Sequence, residues 1–331
     1  MICLMKNVQS EKSTEGEKLM QDTRYMDEWI HVPLCKKGAK LYHYTMAEGV
    51  RGIVENKEFL ATKSDFLNDK LEFQYAVEVM ERLTEKYIVN DCLRERFFTL
   101  LKKEIDRIGI ITPACAANGE QEQDALSFYV VSFSKLQNNS LLWAEFTDFK
   151  GYCLEFDYEK LVEGFKERVF LHGTVIYDEK EQMNGLLESL LACIQNLTED
   201  GITDLADFFE EEADPSEGSL KKLVSEMAVV CSVYAMFFKK NFFAGEEEYR
   251  FIFPPKIRRF GTSKPKFRLR DQIFLPYIMV EYEMENENVP LESVMVGAKN
   301  NSDIAVRGMR YFLKAMGLDI PVLLSDIPLR Y

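Results

Sequence analysis

The sequence predicts an α+β protein: one mixed or antiparallel sheet built from N- and C-terminal strands, with a helical insertion at about 178–240. Three observations predict it. Short β-prone runs crowd residues 40–62, 126–177 and 249–324. Stretches of helical period fill 179–240. No Pro/Gly/Ser-rich linker divides the chain, so a single domain over 38–331 is expected, preceded by a flexible or partly ordered arm at 1–37.

Taken in order, the first strong signal is Lys40-Leu41-Tyr42-His43-Tyr44-Thr45, a strand. Thr45 and Glu48 form a T-x-x-E capping box, and Val50, Ile53 and Val54 mark the inner stripe of the helix that follows. Phe59 to Thr62 reads as a strand. Asp69 and Glu72 make a second box, opening a helix with Phe73, Val77, Met80 and Leu83 on one face. A helix at 92–108, a loop at 113–124 and a buried strand at 126–133 come next. Asn138-Asn139 is a turn before a short helix at 141–146, followed by strands at 151–156 and 169–177. The middle is helical at 179–197, 204–212 and 219–240. Strands return at 249–253, 266–270, 278–282 and 291–296. A helix from Asn301 or Ser302 to Met316, with Gly317 at its C-terminal end, and a strand at 321–324 complete the chain.

Composition bounds the class. The 331 residues are 47% hydrophobic and 29% charged, enough to bury a core without cross-links. The seven cysteines are scattered and form no CxxC, which fits a reducing, cytoplasmic setting and free thiols. The apolar start, Met1 to Met5, is too short for a signal peptide, and the run from Met227 to Phe238 is too short to span a bilayer. No membrane association is expected. The net charge of -14 argues against nucleic acid as a general partner. The charge is uneven, however. Lys256, Arg258, Arg259, Lys264, Lys266, Arg268 and Arg270 follow one another without an intervening acid, while 207–217 is acidic. The ordinary reading is two solvated surfaces of opposite sign; the alternative is a site at 256–270 for nucleic acid or an acidic partner.

Metal and mononucleotide motifs are missing. His31, His43 and His172 belong to no HExxH or HxH, and there is no P-loop, GxGxxG or GxSxG. Four constellations remain. His43, between two tyrosines on a strand, either presents its ring to a ligand or bonds a carbonyl. Asn68 precedes the Asp69/Glu72 box, where it suits a turn or points away to a ligand. Ser132-Phe133-Ser134 followed by Trp143 offers an indole that either stacks on a flat ring or anchors a helix in the core. In Glu248-Tyr249-Arg250, period 2 puts the carboxylate and guanidinium on one face, where they pair with each other or hold an anionic ligand.

These motifs, taken with Leu41 to Thr45, Leu67-Asn68-Asp69, Lys150 to Asp157 and Val296-Gly297, resemble the bacterial domain-of-unknown-function family numbered 2971. The resemblance runs over about 38–331. More distantly, the aromatic-His-aromatic-Thr opening resembles the start of ADP-ribosyltransferase-like folds. That resemblance implies NAD as a substrate, with no required cofactor. His43 would hold a ribose hydroxyl, and Glu248 would be the late-strand acid that stabilises oxocarbenium charge as the nicotinamide bond breaks. Tyr44 or Trp143 would hold the nicotinamide. Ser64, Ser134 and Tyr152 are all open as the middle residue of the triad, and Thr45, Asn68 and Arg250 complete the expected binding set. The implied activity is ADP-ribosyl transfer or hydrolysis in a defence or toxin effector; the alternative is a non-catalytic binding or regulatory module. Nothing in the sequence speaks to the oligomeric state.

Overall fold

The computed structural model describes residues 30–67, 72–108, 128–199, 214–254, 256–257, 261–262, 264–270, 272–283, 289–300 and 302–328. In chain order the elements are β1 (Lys40–Thr45), α1 (Ala47–Asn56), β2 (Glu58–Lys63), α2 (Glu72–Tyr87), α3 (Asp91–Ile108), β3 (Tyr129–Ser134) and α4 (Ser140–Thr147). They continue with β4 (Tyr152–Asp157), α5 (Tyr158–Phe165), β5 (Leu171–Thr174), α6 (Glu179–Glu199), α7 (Glu217–Tyr234) and β6 (Glu248–Phe253). The last are β7 (Lys256–Ile257), β8 (Gly261–Thr262), β9 (Lys266–Arg270), β10 (Ile273–Glu281), β11 (Leu291–Val296), α8 (Ser302–Ala315) and β12 (Val322–Leu324). Helices and one large mixed sheet make this an α+β protein.

The chain falls into two compact units. The first is helical and contains α2, α3, α6 and α7, so the helices expected at about 178–240 pack with those of 72–108. Its core includes Val79, Met80, Leu83, Phe97, Leu101, Leu186, Leu190, Met227 and Tyr234. Met80 and Leu83 were legible as inner positions, whereas Val77 is only half-buried and Tyr75, Ala76 and Val79 take the inner face instead. Helix α7 ends at Tyr234, short of the expected Lys240. There the backbone tightens through Met236 N–H to the Val233 carbonyl, and Phe238 leaves to bridge Ile176. Gln182, fully buried, closes this end by donating to the Ile176 and Lys239 carbonyls and accepting from the Tyr75 hydroxyl.

The second unit carries the sheet, in the order β12-β11-β4-β1-β3-β2-β10-β9, with β6 bonded to both β3 and β5. Among the described strands only β11 and β12 run parallel; every other pair is antiparallel. Period 2 sorts the side chains. Leu41, Phe59, Ala61, Val131, Phe133, Leu154, Phe156, Phe251, Ile278 and Val294 enter one core with residues of α1, α5 and α8. Phe59, Phe133, Phe156, Phe165 and Phe251 form a ring cluster with centroids 5.2–5.9 Å apart. Each such side chain contributes about 1.5–3 kcal/mol on burial.

Local chemistry explains where the reading of the sequence needs correction. The Thr45/Glu48 box does not form: Met46 is the N-cap of α1 and makes no side-chain bond. Thr45 completes β1 instead, opposite Tyr152, so its backbone belongs to the sheet. Helix α5 was not expected. Asp157 ends β4 and caps α5 by accepting from Lys160 N–H, so strand and helix meet without a loop. Gly164 lets that helix lie against Tyr282, whose ring would meet an added Cβ at 1.9 Å. Gly317, at φ +76°, ends α8 as expected. The expected box at Asp69, the loop at 113–124 and the helix at 204–212 lie outside the described residues. Of the arm at 1–37, the described part is tied down: Ile30 is buried, and the Pro33 carbonyl accepts from Thr174 N–H.

Candidate functional site

The sheet forks at β3. One edge of β3 pairs with β6 along its whole length, from Tyr129 opposite Phe253 to Ser134 opposite Glu248. The other edge is shared: β1 pairs at Ser134, opposite Tyr42, and β2 pairs at Val130 and Tyr129. Between them β1 and β2 part, and the Ser132 carbonyl has no strand partner on that edge. His43 supplies one, its Nδ1 lying 2.9 Å from the Ser132 oxygen. This bond fixes the tautomer, with the proton on Nδ1 and a lone pair on Nε2. Among the described residues Nε2 has no hydrogen-bond partner. Burial pulls the His43 pKa below the ordinary value, against the Ser132 bond that raises it, and the Arg268 charge adds to the lowering. The ring is therefore neutral at pH 7. It packs against Phe133 and Phe59, on the Leu41 side of the sheet.

Glu248 lies on the opposite side. Tyr249, Phe251 and Phe253 share the core with Leu41, so Glu248 and Arg250 point away from it. The two close a bidentate pair, Arg250 Nε to Glu248 Oε1 at 2.8 Å and Nη2 to Oε2 at 2.9 Å. Arg250 is 1% exposed and Glu248 7%. The expected pairing on one face is thus present. A shared hollow lined by His43 and Glu248 is not formed, because the register of β1, β3 and β6 puts them on different faces.

Of the remaining expected residues, Trp143, Tyr44 and Ser134 have internal partners. Trp143 is fully buried, donates from its indole N–H to Asn138 Oδ1 at 3.0 Å, and meets Tyr44 edge-on at 5.1 Å. The Tyr44 hydroxyl donates to the Leu136 carbonyl and accepts from Asn139 N–H, both at 3.0 Å. Burial raises the Tyr44 pKa and pushes the neighbouring Cys153 thiol up to about 12. Ser134 Oγ donates to the Glu246 carbonyl at 2.7 Å and accepts from Leu136 N–H. Tyr152 packs, half-buried, at the core margin, and Thr45 sits against Gly49. Ser64 belongs to a short 3-10 turn after β2. Asn68 lies outside the described residues. Trp143, Tyr44 and Ser134 hold α4 and the β3 turn in place, and their polar atoms are occupied in doing so.

Two further features bear on binding: one that the sequence did not show, and one, the basic run at 256–270, that it offered as a site. A hollow of about 440 Å³ is lined by Cys35, Lys36, Lys40, Tyr42, Lys135 and Thr174. Lys40 is already paired with Asp157 and Glu292, and Lys135 with Glu247, so its cations are largely answered. The second is the β9–β10 hairpin at the sheet edge. All five residues of β9 are exposed. Lys266, Arg268 and Arg270 alternate with Phe267 and Leu269, which are 61% and 67% exposed. Arg268 bonds Thr62 Oγ1 at 2.9 Å, and Arg270 reaches the Glu145 carbonyl. The alternation of cation and apolar residue was visible in the sequence; its exposure on both faces required the sheet order.

Among the described residues no group of three or more His, Cys, Asp or Glu side chains could hold a metal ion, and no helix is long and apolar enough to cross a membrane. Comparison with curated proteins and with solved structures gives no match. Residues 142–251, from α4 to β6, match the family described as protein of unknown function (DUF2971), a span narrower than the expected 38–331 that includes Trp143, Tyr152, Glu248 and Arg250.

Proposed function

We propose that this protein is a non-catalytic binding module that engages an anionic partner through the β9–β10 hairpin. One observation carries the reading: β9 is exposed along its whole length and presents a cationic row with no acid interspersed. Among the described residues no carboxylate lies within ion-pair distance of Lys264, Lys266 or Arg268. In a chain of net charge -14, the exposed cations Lys264, Lys266 and Arg268 are a local feature that an anionic surface would find at short range. Retention of the full chain on immobilised heparin tests this. Binding is expected at low salt, falling with ionic strength, and lost in the Lys266→Glu/Arg268→Glu variant. A wild-type chain that passes through unretained at low salt sinks the reading.

A second reading keeps a nucleotide ligand, and one observation favours it: the open Nε2 of His43 beside the fork, an acceptor suited to a ribose hydroxyl. It retains NAD as the ligand at His43 and gives Glu248, on the opposite face of the sheet, no part in holding it. Calorimetric titration with NAD, repeated on His43→Ala, tests it. No heat from the wild-type chain at millimolar ligand removes NAD from consideration.

A further inference from the structure

We infer that the free edge of β9 docks an extended acidic segment of a partner protein, which adds to the sheet as a further strand alternating carboxylates with apolar side chains. The inference rests on the hairpin reading above and supplies the partner's chemistry and its geometry. Strand β9 ends the sheet: it pairs with β10, and among the described residues no strand bonds its other edge. Such an edge offers a row of unpaired N–H and C=O groups, the usual template for strand addition.

The side chains specify what would be added. Register places Lys266, Arg268 and Arg270 on one face of the hairpin, and Phe267 and Leu269 on the other, with Phe274 opposite Leu269 and also 66% exposed. An incoming strand turns alternate side chains to the two faces. One of its rows would meet the cations and the other the apolar strip, so acidic and apolar residues must alternate in it. A uniformly charged polymer answers only one face. A polynucleotide would answer the cations and find exposed rings in Phe267 and Phe274, but it has no strand edge to offer the backbone, so it would leave the β9 amides unprotected.

A second copy of this chain is a poor occupant. Antiparallel pairing of β9 with itself sets Lys266 opposite Arg270 and Arg268 opposite its own copy, and like charges directly opposite one another are destabilising. The cationic row thus blocks self-pairing of an otherwise exposed edge while leaving it open to an acidic strand.

Hydrogen exchange on the full chain tests the inference, with a synthetic peptide alternating glutamate and valine as probe and polyglutamate of equal charge as control. The alternating peptide is expected to slow exchange of the β9 amides by about tenfold or more, and polyglutamate to leave them unchanged. Lys266→Glu/Arg268→Glu should abolish the protection while exchange elsewhere stays as in the wild type. Equal protection by polyglutamate overturns strand addition, as does heparin or anionic-vesicle binding at the hairpin without any effect of the alternating peptide; in both cases the hairpin reading survives. Loss of heparin binding as well removes both. A concentration-dependent dimer that protects β9 in the absence of peptide also overturns the inference.

Discussion

Glu248 and Arg250 sit two positions apart on β6 and grip each other through two bonds of 2.8 and 2.9 Å, almost wholly out of water. Desolvating both charges offsets much of their attraction, so the pair is weak support for stability as a whole but costly to break from one side. Glu248→Gln keeps the shape and removes the carboxylate charge that faces the Arg250 guanidinium across this buried pair. It is expected to lower unfolding free energy by about 3–5 kcal/mol, read from chemical denaturation. A double Glu248→Leu/Arg250→Met variant should recover most of the loss. If Glu248→Gln costs nothing, the clamp does not carry its charge balance in the folded state.

The Glu248–Arg250 relationship was legible because two residues on one strand obey period 2 whatever the fold. The relationship between His43 and Glu248 was not, since it depends on how β1, β3 and β6 register across the sheet. Tyr42 opposite Ser134, and Ser134 opposite Glu248, put Tyr42 and Glu248 on one face and His43 on the other. The strands themselves were readable from β-branched and aromatic runs, and β1 and β9 have their expected ends. Helix α5 was hidden because one residue, Asp157, both ends a strand and caps a helix. The exposure of β9 was hidden because edge position belongs to the strand order.

Gly164 and Tyr282 supply a second test of the packing. A Cβ at 164 would fall 1.9 Å from the Tyr282 ring, and the ring is held by its hydroxyl donating to the Lys160 carbonyl at 3.2 Å. Gly164→Ala is therefore expected to destabilise by about 1–3 kcal/mol, despite the better helix propensity of alanine. Pairing it with Tyr282→Leu should make the alanine less costly than in the wild-type background. A stabilised single variant would show that α5 can shift away from Tyr282 freely.

Stability should fall on mild acidification, and His172 gives the reason. Its Nδ1 lies 2.6 Å from the Tyr249 hydroxyl, which in turn donates to Tyr158, and burial lowers its pKa from the ordinary 6.5 to about 4. Below pH 6.5 the unfolded chain takes up a proton that the folded chain refuses. The contribution is therefore complete above about pH 6.5 and is lost as pH falls towards 4, amounting to about 3 kcal/mol at most. His43, also lowered by burial, acts in the same direction. Urea midpoints between pH 7.5 and 4 should fall with a slope that His172→Asn reduces. An unchanged slope in that variant would assign the acid sensitivity elsewhere.

The hairpin and the core should separate cleanly when equivalent apolar residues are removed from each. Phe251 is fully buried within the ring cluster, with Phe133 and Phe165 at 5.6 and 5.2 Å. Phe251→Ala removes those contacts and leaves a cavity, at an expected cost of about 3–5 kcal/mol. Phe267 and Leu269 lie mostly in water in the folded chain, so replacing both with serine should change stability by no more than about 0.5 kcal/mol. Their place at an exposed edge then serves contact outside the chain rather than packing within it. Denaturation curves of the two variants beside the wild type measure the contrast. A loss of several kcal/mol from the hairpin pair would mean that these side chains pack within the protein, and the edge would no longer be a surface awaiting a partner.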